Sequence, residues 1–149
     1  MIAQQRTSAL LIAGIFVIIS ACILTGLTLV TSYYQLLSLP GGRAYYFYFL
    51  TLNLSYIAAD LLVATVALIG GIMSMLRRNF ALAVVGAAFV LADSILRVPG
   101  YTAQLFFFTT GEIIGLLYMA LFALGAAIAL ILSLLGVLLI AKSRAEFSY

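Results

Sequence analysis

Several residue types on which catalytic and metal sites depend are missing from this chain. None of its 149 residues is a histidine or a tryptophan, and Cys22 is its single cysteine. These absences exclude histidine-ligated metal sites, histidine-based acid–base catalysis and an intrachain disulfide. Because no nucleophile–base pair or metal cluster can be assembled from the residues that remain, we expect neither enzymatic activity nor a bound cofactor.

Charge is scarce as well. Only 7% of the residues are charged, whereas 66% are hydrophobic, and the mean hydropathy is +1.30. An ordinary globular domain carries roughly 25% charged residues. Too little polar surface is present to cover a water-facing body of this size, so a soluble fold is excluded.

Four long apolar stretches take up most of the sequence, each long enough to cross a ~30 Å hydrocarbon core. We place them at residues 8–30, 46–76, 80–98 and 113–141. Pro40-Gly41-Gly42 marks a turn after the first stretch, and Val98-Pro99-Gly100 is expected to stop the third. Only Arg77-Arg78-Asn79 separates the second stretch from the third, which predicts a tight antiparallel hairpin. The sequence therefore predicts an all-α protein, an integral membrane four-helix bundle that forms a single domain over residues 1–149.

The basic residues predict the orientation of the bundle. One side would hold five of them and the other side only two, Arg43 and Arg97; the five are Arg6, Arg77, Arg78, Lys142 and Arg144. We therefore expect a multi-pass protein of the cytoplasmic membrane with both termini in the cytoplasm. The sequence has no basic stripe of the kind that nucleic acid requires, so no nucleic-acid partner is expected.

An internal alignment of the chain with itself raises a further possibility for the architecture. The segment from Arg6 to Gly14 aligns with the segment from Arg78 to Gly86, and Gly70 aligns less closely with Gly136. A duplication would make the chain two tandem helical hairpins, related as a parallel repeat by an axis along the membrane normal. Chance matches are common in apolar sequence, and the alignment leaves both origins open.

Small residues recur at helical spacing and predict where the helices pack, because close backbone approach drives helix pairing in lipid. The first stretch offers Gly14, Ala21, Thr25 and Thr28. The predicted packing positions of the second and fourth stretches are Ala64, Ala67, Gly71, Ser74, Gly111, Gly115, Gly125, Ala129 and Ser133. Large apolar residues are expected to fill the path through the inner half of the bundle: Leu62, Val66, Leu68, Val84, Val85, Phe89, Ile131 and Leu135.

Four ionisable residues, Asp60, Asp93, Arg97 and Glu112, lie within or beside the spans. At a rise of 1.5 Å per residue, the first three fall about 22–28 Å from the Arg77-Arg78 turn, in the outer third of the membrane. Asp93 and Arg97 have the favourable i,i+4 spacing for an ion pair. Either these residues form a neutralised polar cluster that fixes helix register, or a carboxylate marks a proton or cation path. The structural interpretation is favoured, because no ionisable residue occupies the inner half of any span.

Cys22 ends the segment Ile19-Ser20-Ala21-Cys22, which fits the cleavage motif of a bacterial lipoprotein signal. The residues that follow it stay apolar, whereas a lipoprotein normally turns polar after its cysteine. This favours Cys22 as a small buried thiol within an uncleaved span.

Two segments carry a family resemblance: the end of the second span, with Gly70-Gly71-Ile72 and Leu76-Arg77-Arg78, and the tail at residues 143–147. In them the chain resembles the loosely defined small four-span membrane proteins of bacteria and archaea. The resemblance implies the four-span fold and no particular activity. We expect a non-catalytic structural or assembly subunit of a membrane complex, or a homo-oligomer, with the bilayer and other membrane subunits or copies of itself as partners. The alternative is an ion- or proton-coupled transporter or channel that uses Asp60, Asp93 and Arg97.

Overall fold

The computed structural model describes residues 2–37, 43–107 and 113–147, and side chains within 9–33, 54–103 and 116–147. These ranges form four long α-helices and one short 3₁₀ helix at residues Arg144–Glu146. The long helices are α1 (Ile2–Leu37), α2 (Arg43–Met75), α3 (Phe80–Phe107) and α4 (Ile113–Lys142). Each contains a stretch long and apolar enough to cross a membrane. The prediction of an all-α chain with four helices that could each span a membrane is therefore confirmed.

The contacts between helices define an up-down-up-down bundle. Thr28 of α1 bonds to Asp60 of α2, and Leu10 bonds to Ser74, so residue numbers rise along α1 as they fall along α2. The same reversal relates α2 to α3, α3 to α4, and α4 to α1. Each helix therefore packs against two antiparallel neighbours, and α1 lies diagonally opposite α3.

Small side chains fill the core, and most of the large apolar side chains face outward. The buried residues include Leu10, Ala13, Val17, Ala67, Ala83, Ala87, Val90 and Ala129. The expectation that large residues line the inner path is wrong for six of the eight: Leu62, Leu68, Val85, Phe89, Ile131 and Leu135 are exposed, and Val66 and Val84 are half-buried. In a membrane, lipid-facing positions are apolar as well, so hydrophobicity does not decide which residues lie inside the bundle. Close packing decides it, and small residues allow the helices to approach most closely.

Cys22 also differs from its expected position. It lies on the exposed surface of α1, while its neighbour Ala21 is buried in the core. The helix turns by about 100° per residue, so adjacent residues face different directions. The thiol is therefore on the outer surface of the bundle.

Five glycines lie at a similar level in the half of the bundle that contains the α2–α3 turn. We call Gly14, Gly70, Gly71, Gly86 and Gly136 the glycine layer, and at the first four of them the backbones of neighbouring helices come into contact. A Cβ atom on Gly70 would lie 2.7 Å from the Cα of Gly86, and one on Gly14 would lie 2.5 Å from the carbonyl oxygen of Gly71. The adjacent glycines of α2 thus contact α3 and α1, and Gly136 of α4 faces Val17 of α1.

The third helix does not stop at Pro99 as the sequence predicted. It continues through this proline to Phe107. Proline fixes φ near the helical value, and its missing N–H costs one helical hydrogen bond, which transmembrane helices tolerate. Pro99 and Gly100 are exposed, whereas Tyr101 is buried against Phe122 of α4. Packing beyond the proline therefore holds the last turns of α3 to the bundle.

The turn between α2 and α3 is closed by hydrogen bonds at both helix ends. The Arg78 N–H donates to the Met73 carbonyl at 3.0 Å and the Arg77 N–H to the Ser74 carbonyl at 3.1 Å, the Schellman pattern of a helix end. Asn79 caps α3, because its side-chain oxygen accepts from the Leu82 N–H at 3.2 Å. A short turn thus suffices to reverse the chain, as the sequence predicted for this hairpin.

Candidate functional site

One polar cluster joins three of the four helices in the other half of the bundle. It consists of Thr28 from α1, Asp60 from α2, and Asp93 and Arg97 from α3. Thr28 lies further along α1 than Gly14 of the glycine layer, and Arg97 lies further along α3 than Gly86. These separations correspond to about 16–21 Å along the helix axes.

The guanidinium of Arg97 is the centre of the cluster and uses three of its nitrogens. Nε donates to Asp93 Oδ1 at 2.9 Å, Nη1 donates to Thr28 Oγ1 at 2.6 Å, and Nη2 forms an ion pair with Asp60 Oδ1. Arginine suits this arrangement because its guanidinium presents several donors in a rigid, planar fork. Here the guanidinium meets three acceptors, each on a different helix. The cluster therefore links three helices to one another through a single side chain.

Thr28 bridges the ion pair. Its hydroxyl accepts from Arg97 and donates to Asp60 Oδ2, so both oxygens of the Asp60 carboxylate are engaged. In the sequence, Thr28 stands out only as a small packing residue of the first span. The signal that could identify it is depth, because it lies about 33 Å from Arg6, near the level of Asp60 and Arg97.

The cluster is largely buried within the bundle, and it contains more acidic than basic side chains. Asp60 is 8% exposed, and the side chains of Arg97 and Asp93 are 16% and 18% exposed. An isolated charge in the membrane interior is expensive, so pairing is what makes these residues tolerable there. The cluster contains two carboxylates and one guanidinium, so Asp60 and Asp93 share Arg97 as their partner. The side chain of Asp93 is the most exposed of the three.

Among the residues whose side chains the structure describes, α4 packs apolar side chains close to the cluster. Tyr101, one turn after Arg97, packs against Phe122, with ring centroids 5.9 Å apart. Leu27, Met119 and Ala126 surround this ring pair. Tyr101 lies four residues after Arg97, so these aromatic and aliphatic side chains pack along the same face of α3 as Arg97.

The predicted packing residues occupy several environments. Ala67, Gly71, Ser74, Ala129 and Ser133 are buried. Ala64 and Gly125 are half-buried; a Cβ on Gly125 would make ordinary contact with Leu27, at 3.4 Å. Gly111 and Glu112 lie outside the described residues, and Gly115 lies in α4 at a position whose surroundings are not described.

The cluster does not have the composition of a metal site. Within the described ranges, no three His, Cys, Asp or Glu side chains come together in a way that could hold a metal ion. The carboxylates of Asp60 and Asp93 are bound by Arg97 and are separated by its guanidinium. The chemistry that this arrangement supports is ion pairing.

Comparison with known proteins does not add a relative from which a function could be transferred. No family model matches the chain, and no curated protein and no solved structure matches it either.

Proposed function

We propose that this chain is a non-catalytic integral membrane protein, a structural or assembly subunit of a larger membrane complex or of a homo-oligomer. The observation that carries the proposal is the pairing inside the polar cluster. Arg97 bonds to Asp60, Asp93 and Thr28 at once, and both oxygens of Asp60 are occupied. A carboxylate held in this way stabilises the bundle but is poorly placed to exchange a proton or an ion.

The packing of the opposite half supports the same proposal. A coupling carboxylate needs access to both sides of the membrane during a transport cycle. Between the cluster and the α2–α3 turn, the helix backbones approach each other at Gly14, Gly71, Gly70 and Gly86. Backbone contact of this kind leaves no space for a file of water between those helices.

Ion flux separates this function from transport. We expect Asp60→Asn and Asp93→Asn to lower the yield or the melting temperature of the purified protein, because each breaks part of the cluster. Proteoliposomes that contain the wild-type protein or either variant should show proton and cation flux at the level of protein-free liposomes. The proposal is contradicted if the wild-type protein conducts and a variant that stays folded does not.

An ion- or proton-coupled transporter or channel is the second candidate, and one observation favours it. The cluster has one more carboxylate than it has cations, and Asp93 shares its partner with Asp60 while keeping 18% of its side-chain surface exposed. A carboxylate within a span is typical of ion pathways and proton relays. The flux measurement described above decides between the two functions.

We further propose that both termini lie in the cytoplasm, as the distribution of basic residues predicts. In a Cys22→Ser background, a membrane-impermeant thiol reagent should modify Gly41→Cys from outside intact cells. Ala145→Cys, an exposed position near the end of the chain, should react only after the membrane is permeabilised. The reverse labelling pattern would show the opposite orientation.

We also propose that the chain arose from two tandem hairpins. Gly14 and Gly86, which the internal alignment matches, both belong to the glycine layer, and so do Gly70 and Gly136. The polar cluster has no duplicate, since the positions that match Asp93 and Arg97 are Ala21 and Thr25. In this proposal the shared glycine packing is ancestral, and the ion pairs were added to one half.

A further inference from the structure

The end of the bundle at the α2–α3 turn carries a concentration of positive charge. Arg77 and Arg78 lie in that turn, and Lys142 and Arg144 lie at the end of α4 and just beyond it. Of the described residues at this end, Glu146 is the acidic one. We call the four basic residues the basic end. They come from two distant parts of the sequence, so the fold is what assembles them.

Phe80 holds the two parts together. The ring of Phe147 packs edge-on against it, with centroids 5.2 Å apart, and the Arg144 guanidinium lies 5.5 Å from the Phe80 centroid. Phe147 is 5% exposed and belongs to the core of the bundle. The segment after α4 therefore packs against the first turn of α3, and Arg144 lies close to the α2–α3 turn.

A second observation concerns the backbone of Arg77, which has a φ of 55°. This is the position after a helix end that glycine normally occupies, because a side chain there costs roughly 1–2 kcal/mol. The sequence places an arginine in this position despite that cost. Asn79 in the same turn also has a positive φ, of 50°, and uses its side chain to cap α3. By the same reasoning, the arginine at position 77 points to a use for its side chain.

The basic end also borders exposed apolar surface. Met75, Leu76 and Leu82 are exposed apolar side chains directly beside the turn, and in a membrane such residues contact acyl chains. Arg78, Lys142 and Arg144 are exposed next to them. An anion that meets this surface together with acyl chains is the phosphate of a lipid.

We propose that the basic end binds the headgroup of an anionic phospholipid. The phosphate lies against Arg78, Lys142 and Arg144, the charge of Arg77 in the adjacent turn adds to the attraction, and the acyl chains lie along Leu76 and Leu82. The interaction adds specificity to the general preference of basic residues for one leaflet. It is independent of whether the protein is a structural subunit or a transporter.

Lipid binding to the full chain, purified in a neutral detergent, tests this proposal. Native mass spectrometry would compare phosphatidylglycerol with phosphatidylcholine of the same acyl chains. We expect phosphatidylglycerol to bind at least tenfold more tightly, and Arg78→Ala or Lys142→Ala to weaken its binding by about fivefold each, as removal of one basic residue predicts. Phosphatidylcholine binding should not change.

Two further variants make the test specific. Arg43→Ala removes a basic residue from the opposite end and should leave phosphatidylglycerol binding unchanged. Arg77→Gly removes the left-handed arginine, so it should keep the melting temperature at or above the wild-type value while weakening phosphatidylglycerol binding by about fivefold. This variant separates lipid binding from folding.

Three results would overturn the proposal. The first is equal affinity for the two lipids, and the second is an effect of Arg43→Ala as large as that of Arg78→Ala. The third is displacement of phosphatidylglycerol by millimolar inorganic phosphate, which would assign the surface to a free anion and not to a lipid.

Discussion

Substitution of Gly86 by alanine is expected to destabilise the folded bundle by about 1–3 kcal/mol, the usual cost of overpacking a tightly packed core. The added Cβ would lie 2.7 Å from the Cα of Gly70 and 2.8 Å from the carbonyl oxygen of Val66. Both are backbone atoms, so no side-chain rotation relieves the clash, and α2 and α3 must move apart. Unfolding of the purified protein in mixed detergent micelles measures the change in free energy.

Gly26→Ala is the matched control, since it makes the same chemical change in a transmembrane helix. A Cβ on Gly26 meets nothing within 4 Å, so this variant should be as stable as the wild type or more stable by up to roughly 1 kcal/mol, the helix propensity that alanine gains over glycine. If Gly86→Ala is no less stable than Gly26→Ala, the close approach of α2 and α3 does not contribute to folding as we propose.

These glycines show where the sequence is informative and where it is not. Gly71 stands out because small residues recur around it at helical spacing, and Gly86 does so only through the internal alignment. The sequence does not indicate that Gly70 and Gly71, which are adjacent, contact different helices. Neighbouring residues point about 100° apart on a helix, so the pairing depends on where α1 and α3 lie around α2.

The orientation of the large apolar side chains could not be predicted for a related reason. In a soluble helix a polar face and an apolar face distinguish outside from inside. Here both lipid and core accept leucine, isoleucine and phenylalanine, so Leu62 and Phe89 carry no signal about which way they face. The residues that are informative about direction are those that lipid disfavours, such as Asp60, and the small residues at helical spacing, such as Ala67 and Ala129.

The sequence predicted one helix end correctly, at the α2–α3 turn, and a second one, at Pro99, wrongly. The α2–α3 turn lies where Arg77-Arg78-Asn79 predicts, because this short polar segment separates two apolar stretches. Pro99 predicts a helix end in water, yet α3 passes through it. A membrane makes the alternative, an unpaired loop, more costly than one missing hydrogen bond.

Loss of the Arg97 guanidinium should destabilise the bundle more than the added methyl group of Gly86→Ala does. In Arg97→Ala, the carboxylates of Asp60 and Asp93 lose their shared partner while they remain within a membrane span. Removal of one member of a buried ion pair typically costs about 3–5 kcal/mol, because the charge that is left has no compensation. We expect a loss of this size in the free energy of unfolding, accompanied by a lower yield from membranes.

Three comparisons assign that loss to the stranded carboxylates. Arg43→Ala removes an arginine outside the cluster and should have little effect. Arg97→Lys keeps the charge but has no planar fork to reach Asp93, Thr28 and Asp60 together, so its stability should be intermediate. Combining Arg97→Ala with Asp60→Asn and Asp93→Asn removes all three charges, and it should recover much of the stability that Arg97→Ala alone loses. If the triple variant is less stable than Arg97→Ala, the carboxylates are not the source of the loss, and the cluster acts through the packing of the arginine side chain.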